Sequence, residues 1–61
     1  MKEVKTFKDL VQGQKFAVDG VLYIRTDYIL TYWNTRINAV SEEYGDFLYF
    51  KDEEPVVPVK D

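Results

Sequence analysis

Apolar and polar positions alternate in short runs between turn residues, with no stretch of helical period beyond a single turn. Lys15-Phe16-Ala17-Val18 and Val21-Leu22-Tyr23-Ile24-Arg25-Thr26 flank Asp19-Gly20, a dipeptide suited to the two positive-φ positions of a type I′ turn. This spacing predicts a hairpin in which Val18 faces Val21 and Phe16 faces Tyr23, the latter an aromatic pair on one face. A second hairpin is predicted from residues 36–41 and 46–51 around Glu42-Glu43-Tyr44-Gly45, with Gly45 in the left-handed position that ends the loop. Pairing Ser41 with Asp46 puts Ile37, Ala39, Leu48 and Phe50 on a core face. Asn38, Val40, Phe47 and Tyr49 then share the opposite face, whose apolar members need a cover.

Upstream, Thr6-Phe7-Lys8-Asp9 fits a helix-start signal, but Gln12-Gly13 stops it after about one turn. Phe7 and Leu10 are therefore expected to close one end of a sheet. Residues 27–35, carrying Tyr28, Tyr32 and Trp33, either extend the second strand or form one of their own, turning at Asn34-Thr35. In the tail, Pro55 and Pro58 lack backbone donors, so Val56 to Val59 is expected at a sheet edge or as an extended segment. Five short strands without a long helix predict a single all-β domain over residues 1–61: a small five-stranded antiparallel barrel, SH3-like first and OB-like second.

Composition narrows the chemistry. The 61 residues include no cysteine and no histidine, which removes thiolate nucleophiles, Ser-His-Asp triads and the usual zinc sites. Ten rings, five of them tyrosine, supply the burial that a chain of this size would otherwise gain from disulfides or metal. The charged start Met1-Lys2-Glu3-Val4-Lys5 leads into no apolar run of signal or membrane-spanning length, so the expectation is a cytoplasmic protein with no membrane association. Paired carboxylates in loops do not make an acid–base site, and Asp52-Glu53-Glu54 lacks the ligand spacing of a calcium loop. The chain is read as a non-enzyme without a cofactor.

Charge is unevenly placed. Residues 1–40 hold six basic side chains against four acids, whereas residues 41–61 hold seven acids against Lys51 and Lys60. Duplex DNA is a poor partner for such a chain, and a basic protein surface a better one. The expected contact set is Tyr32, Trp33, Tyr44, Phe47 and Tyr49 for apolar contacts with Glu42, Glu43 and Asp46 for steering. The alternative is a single-stranded nucleic-acid site of Arg25, Tyr28, Tyr32, Trp33 and Arg36, in which rings stack on bases and guanidinium groups meet phosphates. A structural alternative pairs two copies through the Phe47 and Tyr49 face as a homodimer.

The series Phe7-x-Asp9-Leu10-x-x-Gly13-x-x-Phe16-x-x-x-Gly20-x-x-Tyr23-x-Arg25-Thr26, followed by Asn38-Ala39-Val40, Gly45 and Leu48-Tyr49-Phe50, resembles small uncharacterised proteins encoded by bacteriophages and prophages. The likeness covers about three quarters of the chain. Those proteins often carry lysine at the Arg25 position and a shorter connection before Asn-Ala-Val, so the aromatic stretch from Tyr28 to Trp33 is a departure. The resemblance implies a compact β fold and a phage origin, with no catalytic residues to carry over. With the charge pattern, it leads to the expectation of a small accessory protein that binds a host or phage protein.

Overall fold

A computed structural model of the chain describes residues 4–59. Met1–Glu3 of the charged start, and Lys60 and Asp61 of the tail, lie outside the described residues. Six strands form one antiparallel sheet: β1 (Lys5–Thr6), β2 (Lys15–Val18), β3 (Val21–Leu30), β4 (Arg36–Ser41), β5 (Phe47–Leu48) and β6 (Pro55–Pro58). Their order across the sheet is β1-β6-β2-β3-β4-β5. The all-β expectation holds, but the sheet is open: β1 and β5 form its two edges, where a closed five-stranded barrel was expected. Among the described residues no helix is long and apolar enough to cross a membrane.

The first hairpin follows the sequence closely. Asp19 and Gly20 both take positive φ, at 52° and 81°, and the register pairs Val18 with Val21 and Phe16 with Tyr23. The Phe16 and Tyr23 rings stack with centroids 5.7 Å apart. Phe7 and Phe50 complete a four-ring cluster, each meeting Phe16 edge to face at 5.4 and 5.5 Å. Leu10, Ala39 and Val56 bury around it. Phe7 stands in a three-residue 3-10 turn, Phe7–Asp9, anchored by Thr6, whose N–H and hydroxyl both donate to Asp9 Oδ2 (3.3 and 2.7 Å). The start signal at Thr6 thus produces the short capped turn it predicts.

The second hairpin also keeps its predicted register: Ala39 pairs with Leu48, Val40 with Phe47, and Ser41 N–H donates to Asp46 O at 2.8 Å. Its second strand, however, stops at Leu48 instead of reaching Lys51. The reason is Asn38. Its side-chain amide accepts the Phe50 N–H and donates to the Phe50 carbonyl, both at 2.8 Å, so a side chain replaces the backbone ladder there. Asn38 is buried even though it faces away from the core, because these two bonds satisfy its amide.

Asn38 is free to do this because of a bulge. Between Arg25↔Ala39 and Ile29↔Ile37, β3 carries three residues, Thr26, Asp27 and Tyr28, opposite Asn38 alone. Beyond the bulge β3 continues to Leu30, so the aromatic stretch is an extension of the strand. It ends in a five-residue connection, residues 31–35, whose tip is Tyr32-Trp33-Asn34 with Asn34 at φ 62°. Ten residues at about 3.3 Å each give β3 a span of about 30 Å in a molecule measuring 40 × 23 × 18 Å.

β6 is the clearest departure from expectation. It lies inside the sheet, with β1 on one side (Lys5↔Val56, Thr6↔Pro55) and β2 on the other (Phe16↔Pro58, Ala17↔Val57). Both prolines are accommodated because antiparallel ladders alternate bonded and non-bonded pairs. Ladder bonds fall on neighbouring residues, Phe7 N–H to Glu54 O and Val59 N–H to Lys15 O, both at 2.9 Å. Pro55 and Pro58 therefore occupy the non-bonded pairs and withhold no donor.

Candidate functional site

The face of the sheet turned away from the ring cluster is built by alternation. Registers across β2, β3, β4 and β5 align Lys15, Ile24, Val40 and Phe47 in one row, with Ala17 and Leu22 in the row beside it. Past the bulge the same face carries Tyr28, Leu30 and Arg36. The rings of Tyr28 and Tyr49 meet at 6.3 Å, and the Arg36 guanidinium lies 5.7 Å over the Tyr49 ring. Tyr28, Leu30 and Phe47 are each more than half exposed, and Tyr49 is 42% exposed. The apolar face that Asn38, Val40, Phe47 and Tyr49 define in the sequence is present. It is extended by Leu22, Ile24, Tyr28 and Leu30, which sequence reasoning did not assign to it.

At one end of this face stands the tip of the β3–β4 hairpin. Thr31 N–H donates to Thr35 O and Asn34 N–H to Thr31 O, both at 2.9 Å, while Thr35 N–H donates to Thr31 Oγ1 at 3.1 Å. This braced loop holds Tyr32 and Trp33 edge to face, 5.2 Å between centroids, at 93% and 81% exposure. At the other end stands the β4–β5 turn with Glu42, Glu43, Tyr44 and Asp46. Ser41 Oγ accepts the Tyr44 N–H at 3.2 Å, and Gly45 N–H donates to Ser41 O at 2.8 Å. Glu42 forms an ion pair with Lys15 at 3.0 Å, leaving Glu43 and Asp46 as the turn's outward carboxylates.

The expected contact set is therefore two clusters rather than one. Tyr32 and Trp33 sit at one end of β4, Glu42, Glu43, Tyr44 and Asp46 at the other, separated by six residues or about 20 Å. Phe47 and Tyr49 lie on the face between them.

The nucleic-acid set needs a correction. Tyr28 and Arg36 share the outer face and Tyr32 and Trp33 the tip, but Arg25 points to the core side. One of its guanidinium nitrogens donates to the carbonyls of Phe7 (3.0 Å) and Leu10, and the group lies 4.8 Å over the Phe7 ring. A cation held by two carbonyls and a ring serves the 3-10 turn, not a phosphate.

Elsewhere, an open groove of about 260 Å³ runs between the first hairpin and β6, lined by Val4, Ala17, Val18, Asp19, Glu54, Pro55, Val56 and Val57. Among the described residues its lining has two carboxylates and no cation. Among the described residues no three acids come together as metal ligands would. Comparison of the chain with protein-family models, with curated proteins and with solved structures finds no match.

Proposed function

We propose that the chain is a small phage-type accessory protein that acts without catalysis, in the host cytoplasm, by binding a host or phage protein with a basic surface. The observation that carries this reading is the hairpin tip. Two large rings are held in fixed relative geometry by backbone bonds and left in water, where they add nothing to the core. Rigid Tyr and Trp side chains are the preferred anchors of protein interfaces, because they bring much area at little entropy cost. Tyr32 and Trp33 are the anchors, Tyr44 adds apolar contact, and Glu43 and Asp46 draw in a basic partner. The order β6-β2-β3-β4-β5, a meander whose returning last strand pairs beside its first, supports reading the sheet as an SH3-like arrangement left unclosed.

Single-stranded nucleic acid is served less well, since Arg25 is committed to the turn and Arg36 is then the one cation left in that set. The test is affinity capture from bacterial lysate with the wild-type chain, Trp33→Ala and the double variant Glu43→Lys/Asp46→Lys, followed by measurement of the captured partner's binding. Trp33→Ala should weaken it at least about tenfold, and the charge variant should slow association at low salt but not at high salt. A partner bound equally by all three, or salt-sensitive quenching of Trp33 by an oligonucleotide, would overturn the reading.

A further inference from the structure

The outer face has a charge layout that suits a copy of itself. Arg36 lies at one end of β4, Glu43 and Asp46 lie just past the other, and between them are Tyr28, Leu30, Val40, Phe47 and Tyr49. Closed two-fold interfaces require a patch that is its own complement. Rotation about an axis lying between two such sheets, perpendicular to β4 at the level of Asn38 and Ala39, sets the β4 strands antiparallel. Arg36 of each chain then meets Glu43 and Asp46 of the other at both ends, and the apolar middles stack as in aligned sheet packing.

The area is sufficient. The exposed parts of Leu22, Tyr28, Leu30, Phe47 and Tyr49 amount to about 500 Å² per copy, taking about 200 Å² for each large side chain. That corresponds to about 1,000 Å² in a pair, the lower bound for a specific interface.

We infer that the chain forms a two-fold homodimer through the outer face of β3, β4 and β5, and that the dimer assembles its partner-binding site. The two clusters that lie about 20 Å apart in one chain are brought together by the rotation. The Tyr32 and Trp33 tip of one copy projects beside the acidic turn and Tyr44 of the other. Each end of the dimer then presents aromatic anchors next to a turn that stays net negative, Glu42, Glu43 and Asp46 against Lys15 and one Arg36, a site incomplete in the single chain. This inference rests on the partner-binding reading above for the use of that composite site, but not for the dimer itself.

Sedimentation velocity on the full chain, from micromolar to millimolar concentration, reads the assembly directly. The wild-type chain should shift to twice its 7.2 kDa mass. Phe47→Asp and, independently, Tyr28→Ser should each remain single at all concentrations with an unchanged far-UV spectrum; both sites are exposed, so folding does not depend on either ring. Arg36→Glu alone and Glu43→Arg/Asp46→Arg alone should each weaken association about tenfold or more. An equimolar mixture of these two should regain it, because opposite charges then face each other at both ends.

A wild-type chain that stays single, a dimer indifferent to both face variants, or a charge mixture that fails to recover would overturn the inference. If the wild-type chain stays single yet loses a captured protein on Phe47→Asp, the face belongs to that protein. Single chains that still bind the partner leave the functional reading standing, and dimers that bind none leave the assembly standing.

Discussion

Replacing Arg25 by methionine tests the most consequential departure from the sequence reading. The side chain sits half-buried, bridging the carbonyls of Phe7 and Leu10 and covering the Phe7 ring. Half-exposure brings each bond down from the charged range to that of an ordinary hydrogen bond, about 1 kcal/mol, and the ring contact adds about 0.5–1 kcal/mol. Methionine keeps the apolar stem but neither donor, so the expected loss is about 2–3 kcal/mol. A domain this small has only about 3–5 kcal/mol in total, so the variant should lie close to its unfolding midpoint at room temperature. At about 4–8 °C per kcal/mol, the midpoint temperature should fall by about 10–20 °C. Lysine keeps the charge and the donors, but its ammonium ends one bond short of the bridging nitrogen and offers no plane to lie over the Phe7 ring, so it should lose about half as much. Urea unfolding followed by far-UV circular dichroism measures both, with an unchanged slope confirming that the native state is intact. If methionine lies within about 0.5 kcal/mol of wild type, as for an ordinary surface site, the bridge has no structural role and Arg25 returns to the set of available cations.

Two further perturbations address other joints of the sheet. Asn38→Ala removes the bonds to both backbone groups of Phe50 and should cost about 2 kcal/mol; hydrogen exchange should show the Phe50 amide losing protection, and equal protection in the variant would contradict the role given to Asn38. The bonds from the Thr6 hydroxyl and N–H hold the Asp9 carboxyl below its ordinary value of 3.8. A lowered folded value contributes stability that is full above about pH 4 and is lost as pH falls through it. Stability of Asp9→Asn should therefore depend less on pH in that acid window, and parallel acid profiles for the two proteins would refute the linkage.

Much of the sheet is legible in the sequence. Asp19-Gly20 specifies its turn through backbone geometry alone, and the alternation in residues 36–50 permits only one register that buries Ala39 and Phe50. Local rules suffice for such features. Other features depend on distant partners. Arg25 reads as a free cation because nothing nearby in sequence reveals that the carbonyls of the 3-10 turn, up to eighteen residues away, lie within its reach. Asn38 reads as an ordinary outward polar residue until the bulge at Thr26–Tyr28 leaves it without a regular neighbour. Pro55 and Pro58 point to an edge because the rule against prolines inside sheets ignores spacing. Three residues apart, each lies in a non-bonded pair of a different ladder, one with β1 and one with β2. The separation of the contact set has the same origin: the alternation showed which face each residue occupies, while the length of the β3 extension set how far apart the clusters lie.

The position of β6 also fixes when the protein can fold. Its insertion between β1 and β2 means that the first strand has no neighbour in the sheet until residues 55–58 exist, and Val56 is one of the most deeply buried side chains. Closing a loop of that length precedes any gain from the contacts it makes. On the ribosome, the nascent chain therefore holds β1 unpaired, and the ring cluster without its cover from Val56, until residues 55–58 clear the exit tunnel.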